Sequence, residues 1–120
     1  MNYQEINKKN ISKWEYTLKY LTEVLDKNII PYYLSASGLE YILGNNIYPY
    51  DIDIFVSKDD VKKVFNILKE YKTSDIHLWE DRYLEFQGIY KDIPFEICEW
   101  EKEPTQIKCI NFKDHTVSII

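Results

Sequence analysis

The chain has 120 residues and a formal net charge of −5, with 45% hydrophobic and 29% charged residues, the balance of one ordinary globular domain. An acidic chain is a poor candidate for a general nucleic-acid binder or a polybasic membrane-surface protein, since both need a basic face. No apolar run approaches the ~20 residues of a membrane span, and the first residues lack the features of a signal peptide. Two cysteines, Cys98 and Cys109, are too few for a disulfide framework. We therefore expect a single domain over residues 1–120, in the cytoplasm and away from membranes, with reduced thiols.

The first half of the chain alternates helical and strand patterns. Apolar residues recur at helical spacing over residues 11–25, which predicts a helix with Asn10 as its N-cap. The β-forming residues 29–34 predict a short strand. The small residues 35–38 follow, and the pattern after them predicts a short helix that ends at Gly44.

The second half begins with a strand and a helix and then becomes β-rich. Residues 51–56 alternate as a strand does, and Ser57 with Asp60 resembles the capping box of the next helix, whose apolar stripe covers 61–71. Tight turns are predicted at residues 80–81 and 91–92. The remaining predicted strands are 76–79, 83–90, 94–100, 107–110 and 116–120. The order α-β-α-β-α-β-β-β predicts an α+β (or α/β-like) fold with a mixed sheet and helices packed on it.

Asp51 and Asp53 form the most distinctive motif. Two acids at positions i and i+2 of a strand lie side by side on one face, while Ile52, Ile54 and Val56 lie on the other. Like charges this close raise each other's pKa unless a cation neutralises them, and a hard divalent ion with oxygen ligands does so. The alternative is an exposed pair at the end of a strand, with no ligand.

The small-residue turn at 35–38 is a second candidate site. Small residues at a strand-to-helix junction let backbone N–H groups approach an anion, and the hydroxyls of Ser35 and Ser37 add hydrogen-bond donors. The alternative is a plain tight turn in which small residues merely fit.

The succession of this turn, a helix and an Asp-x-Asp strand resembles the nucleotidyltransferase superfamily, the DNA polymerase β-like fold. That family's signature is a strand ending in Gly-Gly or Gly-Ser, a helix, and a strand with Asp-x-Asp or Asp-x-Glu. The matching segments here are 32–44 and 50–56, and residues 49–53 are also similar to the phosphorylcholine-transferase branch of that superfamily. The resemblance covers residues 11–100. This chain departs from the pattern where Ser35 and Ala36 stand in place of the Gly-Gly or Gly-Ser pair.

The resemblance implies a third carboxylate on a later strand. Glu96 fits best, because alternation places it on one face of its strand with Cys98, and Phe95 on the other. Glu here replaces the more usual Asp. Glu85 is the rival, Asp92 falls in the predicted turn, and the alternative for Glu96 itself is an edge hairpin in which it faces water.

The resemblance further implies a reaction and its partners. Two divalent ions, Mg²⁺ or Mn²⁺, would neutralise a nucleoside triphosphate while an acceptor hydroxyl attacks its α-phosphorus and pyrophosphate leaves. The acceptor would be a small molecule or a protein. The catalytic and metal-binding residues would be Asp51, Asp53 and Glu96. The triphosphate-binding residues would be Ser35, Ser37 and Gly38.

Two other functions stay open at this point. One is a catalytically silent nucleotidyltransferase-fold module that binds a partner protein, as small members of toxin–antitoxin pairs do. The other is an unrelated α+β interaction domain whose aspartates are solvated. Dimerisation is compatible with so small a domain. His77 and His115 have no metal-ligand spacing and are interpreted as structural or surface residues, whereas Trp79, Tyr48 or Tyr50 could stack a base.

Overall fold

The computed structural model describes residues 5–120, so residues 1–4, on which the expectation about a signal peptide partly rests, lie outside it. Its helices are α1 (Ile11–Lys27), α2 (Ala36–Ile42) and α3 (Lys58–Ile67), the last continued by a 3₁₀ turn at Lys69–Tyr71. Its strands are β1 (Tyr33–Ser35), β2 (Ile52–Val56), β3 (His77–Trp79), β4 (Tyr83–Tyr90), β5 (Ile93–Glu99), β6 (Lys108–Phe112) and β7 (His115–Ile119). Within the described residues, no helix combines the length and the apolar character that crossing a membrane requires.

Five of the strands form one mixed sheet. Their order is β1-β2-β5-β4-β3, and β2 and β5 run parallel while every other neighbouring pair runs antiparallel. The remaining two strands, β6 and β7, pair only with each other, and β7 contacts β1 and α1. The predicted α+β class with a mixed sheet and helices packed on it is therefore confirmed.

Two tight turns join β3 to β4 and β4 to β5. The first consists of Glu80, Asp81 and Arg82, and the second of Lys91 and Asp92. Glu80, Asp81, Lys91 and Asp92 all have φ between 49° and 68°. In the two-residue turn between β4 and β5, positive φ at both positions matches the right-handed twist of the strands it joins. These turns lie where the sequence predicts them, although none of the four residues is glycine.

One face of the sheet forms the core. Ile52, Ile54 and Val56 of β2 are fully buried, and α1 and α3 both contact β5. Asp53 and Phe55 of β2 and Glu96 and Cys98 of β5 point to the other face and are only half-buried. The sheet therefore presents an apolar face to the helices and an open, polar face that carries the predicted acids.

The two predicted helix caps differ in outcome. Ser57 caps α3 as predicted, because its Oγ accepts a hydrogen bond from the N–H of Asp60 at 3.2 Å. Asn10 occupies the N-cap position of α1 without capping it. Its Oδ1 instead accepts from the N–H of Asn7 at 2.6 Å, and its amide donates to the carbonyl of Glu5 at 2.7 Å. The Asn10 side chain thus holds the preceding segment against the helix.

Strand β1 is shorter than the predicted 29–34. It begins at Tyr33, because Ile29 has φ 56° and is 88% exposed and Pro31 has no N–H to donate. Helix α2, conversely, starts earlier than predicted, directly after Ser35, and the backbone leaves it at Gly44 with φ 93°. The turn between β1 and α2 is therefore very tight.

Candidate active site

A row of polar residues crosses the open face of the sheet. In register, Ser35 of β1 lies opposite Asp53 of β2, Asp53 lies beside Glu96 of β5, and Glu96 lies opposite Gln87 of β4. Residues paired directly across neighbouring strands point to the same face with Cβ atoms ~5 Å apart. The row therefore brings together two of the three predicted acids and the first residue of the predicted phosphate-binding turn.

Asp51 completes the acidic group from the residue before β2. One carboxylate oxygen from each of Asp51, Asp53 and Glu96 lies within 4.8 Å of the other two. The backbone at Asp51 is fixed by Trp14 of α1, whose indole N–H donates to its carbonyl oxygen at 3.0 Å. The buried Trp14 ring thus positions the first acid from the core side.

Crowding and burial change the titration of these acids. Burial, followed by the charges of Asp51 and Glu96, raises the pKa of Asp53 to about 8. Burial and Glu96 also raise the pKa of Asp51 above its usual range. Within residues 5–120, no Lys, Arg or His forms an ion pair with any of the three acids. The cluster therefore takes up either protons or an external cation.

Glu85, the rival third acid, has a different partner. It lies one row further along the sheet, and its Oε1 is 2.7 Å from Nε2 of His77. Nδ1 of His77 donates to the carbonyl of Asp75 at 2.9 Å, and this hydrogen bond, together with Glu85, raises the pKa of His77. Glu96 is the acid that lies beside Asp53, whereas Glu85 is held by an imidazole.

Gln87 and Cys98 are two further neighbours of Glu96 on this face. Nε2 of Gln87 donates to Oε1 of Glu96 at 3.3 Å, which orients the carboxylate. Burial and the surrounding carboxylates raise the pKa of the Cys98 thiol well above its usual range. Cys98 is consequently held as a thiol, which argues against a nucleophilic role.

The four small residues of the turn have different structural roles. Ala36, at the second position of the family's Gly-Gly or Gly-Ser pair, is exposed and has φ 59°, in the left-handed region. Ser35 makes no capping hydrogen bond with its side chain. The Oγ of Ser37 accepts from the N–H of Tyr50 at 2.9 Å and ties the loop before β2 to α2. Gly38 is buried where a Cβ would lie 3.0 Å from the Trp14 ring, so packing explains its lack of a side chain. Their contact with phosphate stays a prediction.

A cleft of about 270 Å³ opens beside the acidic group. Asp53 and Glu96 form one side of it, together with Ser35 and Ala36. The other lining residues are the aromatic and aliphatic Phe55, Trp79, Tyr83 and Leu84, and the polar Glu85, Cys98, Glu99 and Glu101. A molecule in this cleft would lie directly against the carboxylates.

The structure thus brings Asp51, Asp53, Glu96 and the 35–38 turn to one place. Sequence reasoning missed two contributors, Trp14 and Gln87. Gln87 carried a usable signal, because it follows Glu85 at i+2 on the same predicted strand and so shares its face. Trp14 carried none, since its bond to Asp51 joins a helix to a distant strand end.

Comparisons with solved structures agree with the fold described above. No protein-family profile and no curated protein sequence matches the chain. Among solved structures, TM1012 of Thermotoga maritima, provisionally assigned as a nucleotidyltransferase, superimposes with a TM-score of 0.78 at 12% identity, over 98% of this chain and 81% of its own. The lincomycin-bound lincosamide antibiotic adenylyltransferase LnuA superimposes with a TM-score of 0.65 at 16% identity, over 98% and 82%.

Both likenesses extend over nearly the whole chain and include the strands that carry the acids. They overturn the alternative of an unrelated α+β interaction domain. At these identities they establish the architecture and not the role of any residue. The chain therefore has the nucleotidyltransferase fold that the Asp51-Asp53 strand and the preceding turn predict.

Proposed function

We propose that this protein transfers a nucleotidyl group from a nucleoside triphosphate to a hydroxyl of a small molecule or protein, with Mg²⁺ or Mn²⁺. The observation that carries the proposal is the convergence of Asp51, Asp53 and Glu96 within 4.8 Å on the open face of this fold. LnuA is an adenylyltransferase with lincomycin bound, which favours a small-molecule acceptor over a protein.

The donor set of the acidic group fits a hard divalent cation. All three candidate ligands offer carboxylate oxygens, which Mg²⁺ and Mn²⁺ prefer over softer donors. The raised pKa of Asp53 is what three acids produce when their neutralising partner comes from outside the chain. When bound, a pair of such ions supplies stabilisation of the attacking and leaving oxygens of an in-line displacement.

The residues around the acids have positioning roles in this proposal. Trp14 holds the backbone at Asp51, and Gln87 orients Glu96 toward the acceptor side. Ser35 lies beside Asp53, where its hydroxyl would donate to the triphosphate. Ser37 accepts from a backbone N–H, so its own hydroxyl proton remains available for a phosphate oxygen. The backbone at Gly38 would complete this side of the site.

A second candidate function keeps the fold without turnover. The loop after α2 exposes four large apolar residues, and such patches mark protein interaction sites. They are Leu43 (54% exposed), Ile47 (45%), Tyr48 (44%) and Tyr50 (79%). A partner protein or a second copy of the chain covering this loop would fit the silent, antitoxin-like module.

Titration of ATP, GTP, CTP and UTP, with and without Mg²⁺, tests the proposed enzyme. We expect Mg²⁺-dependent binding of at least one triphosphate, and pyrophosphate release once an acceptor is supplied. Asp51→Ala should abolish release while the circular dichroism spectrum is retained, because the first metal-binding acid is lost. Glu103→Gln, which removes an exposed acid outside the cleft, is the matched control and should behave as wild type.

Two results would contradict the enzyme. Absence of Mg²⁺-dependent binding for every triphosphate at millimolar concentration would favour the silent module. Equal pyrophosphate release from Asp51→Ala and wild type would place the chemistry elsewhere. In the first case, co-purification of a partner that is lost in Tyr50→Ser would support the module directly.

A further inference from the structure

A groove of about 840 Å³ adjoins the cleft on the open face of the sheet. Tyr33 of β1 and Phe55 of β2 form its aromatic side, and the loop between β5 and β6 forms much of the rest. Phe55 and Glu101 line both the groove and the cleft, so the two spaces share a border. The metal and triphosphate chemistry proposed above leaves the groove unused.

Three nearly parallel aromatic rings, those of Tyr33, Phe55 and Trp100, lie beside this groove, and we call them the ring platform. Tyr33 and Phe55 are paired across β1 and β2, and their ring centroids are 5.3 Å apart with an interplanar angle of 21°. Trp100, directly after β5, is stacked with Tyr33, with ring centroids 6.2 Å apart and an angle of 15°. All three residues are only half-buried. Parallel rings with accessible surface bind planar heterocycles by stacking.

The ring platform lies one row away from the proposed phosphate site, on the same two strands. Tyr33 precedes Ser35 by two residues on β1, and Phe55 follows Asp53 by two residues on β2. Residues i and i+2 of a strand share a face and are roughly 7 Å apart along it, a distance that one ribose can bridge. A nucleotide with its triphosphate beside Ser35 and Asp53 would therefore reach the platform with its base.

Charge assigns the two spaces to different parts of the reaction. Five carboxylates line the cleft and no Lys or Arg does, so the cleft repels a polyanionic nucleotide except where metal ions neutralise the acids. In the groove, Lys102 and Lys108 offset two acids. Because β1 and β5 lie on opposite sides of β2, the donor fits over β1 and β2 while the acceptor approaches Glu96 of β5.

The loop across the groove from the rings offers hydrogen-bonding groups to the edge of a base. Thr105 and Gln106 line the groove, and both are exposed. Within residues 5–120, the backbone of these two residues makes no hydrogen bond to another backbone group. Each base presents donors and acceptors along its edge, so the loop can bind a base without first breaking a bond of the fold.

We propose that the nucleobase of the donor nucleotide stacks on Tyr33 and Phe55, in the groove between these rings and the loop residues Thr105 and Gln106. This inference rests on the proposed function and specifies how its donor is bound. Stacking tolerates any base, because every base has a π face, and purines bury more ring surface than pyrimidines. ATP and GTP should therefore bind a few-fold more tightly than CTP and UTP.

Comparison of ATP with methyl triphosphate separates the base from the phosphates. Methyl triphosphate has the same esterified phosphate chain and charge, but it has no base. Both ligands are titrated by calorimetry in excess Mg²⁺ without acceptor. We expect ATP to bind roughly tenfold more tightly, because only ATP can stack on the rings. In NMR spectra, the adenine H2 and H8 signals should shift upfield on binding, as protons held over an aromatic ring do.

Substitutions in the platform locate the base. Tyr33→Leu should weaken ATP binding roughly tenfold and remove the upfield shift, whereas Tyr33→Phe should bind ATP nearly as wild type because it keeps the ring. Phe55→Leu should behave as Tyr33→Leu does. Methyl triphosphate should bind all of these variants as it binds wild type, which also shows that they fold. Tyr16→Leu removes an exposed tyrosine that lines neither the groove nor the cleft, and this matched control should bind both ligands as wild type.

Equal affinity of the wild type for ATP and methyl triphosphate would overturn the base site, although Mg²⁺-dependent binding of both would leave the proposed function intact. Unchanged ATP affinity in Tyr33→Leu would also overturn it, because the base would then lie elsewhere. Equal weakening of both ligands in that variant would show that the ring supports the phosphate site without contacting the base. Absence of Mg²⁺-dependent binding for both ligands would contradict the proposed function, and this inference with it.

Discussion

Replacement of Asp53 by Asn tests the electrostatics of the acidic group most directly. Burial and the charges of Asp51 and Glu96 raise the pKa of Asp53 from 3.8 to about 8. The folded state therefore binds more protons than the unfolded state between these values. The stability that this group contributes is fully present below pH 4 and is lost as the pH rises to about 8.

The size of the effect follows from the pKa difference. For a fully buried, isolated acid, a rise from pH 5 to pH 8 at about 1.4 kcal/mol per pH unit would lower the free energy of unfolding by roughly 4 kcal/mol. Asp53 is half-buried and shares protons with Asp51, and solvent screening reduces the figure to about 2 kcal/mol. For a domain of this size, that corresponds to a fall in Tm of roughly 8 °C.

The assay is thermal unfolding at pH 5 and pH 8, with and without Mg²⁺. The wild type should lose stability between the two pH values in EDTA and recover it with Mg²⁺ at pH 8, because a ligand of the native state stabilises it. Mg²⁺ should have a smaller effect at pH 5, where protons compete for the carboxylates. Asp53→Asn should be more stable than wild type at pH 8 without metal and should lose the Mg²⁺ response.

Glu103→Gln removes one negative charge elsewhere and serves as the control for net charge. The reasoning would be refuted by an Asp53→Asn protein that keeps the wild-type pH dependence, since the repulsion would then not reside in this group. An unchanged Mg²⁺ response in the same variant would move the metal away from Asp53.

Three further substitutions have definite expected outcomes in urea unfolding. Ala36→Gly should stabilise the protein by about 0.5 kcal/mol, because relief of the φ of 59° exceeds the chain entropy of the new glycine; equal or lower stability would contradict the strain. Gly88→Ala should destabilise by about 3 kcal/mol, since its Cβ would lie 2.3 Å from Cζ of Phe95; a loss under 1 kcal/mol would count against this packing. Trp14→Phe should lower the free energy of unfolding by about 1–2 kcal/mol and weaken Mg²⁺ binding, because the carbonyl of Asp51 loses its hydrogen-bond donor. Unchanged Mg²⁺ affinity would show that Trp14 does not position the metal-binding residues.

Local patterns predicted the elements well because local chemistry decides them. Alternation in residues 51–56 predicted which side chains of β2 face the core, and Ser57 predicted the start of α3. Both tight turns were predicted from polar pairs between β patterns. Asn10 shows the limit of such reasoning, because an amide can satisfy either the helix or the segment before it, and here tertiary packing decides.

The sequence patterns did not predict which strands pair with each other. The sequence favours Glu96 as the third acid and leaves Glu85 as its rival. The parallel pairing of β2 with β5 distinguishes them, because it sets Glu96 beside Asp53 and leaves Glu85 to His77. That Trp79 lines the cleft, and Tyr48 and Tyr50 do not, was also beyond prediction, since it depends on where Trp79 lies relative to β5, and no local pattern encodes that distance.

The position of β2 in the sheet has a consequence for folding kinetics. Strands β3, β4 and β5 are joined by turns of three and two residues and can pair early, whereas β2 joins β5 in parallel across a long stretch of chain. The acids consequently meet only when this last pairing forms, so their repulsion is absent from most of the folding path. Divalent ions should therefore slow unfolding of the native protein while leaving its folding rate nearly unchanged, because the contacts they stabilise form after the transition state.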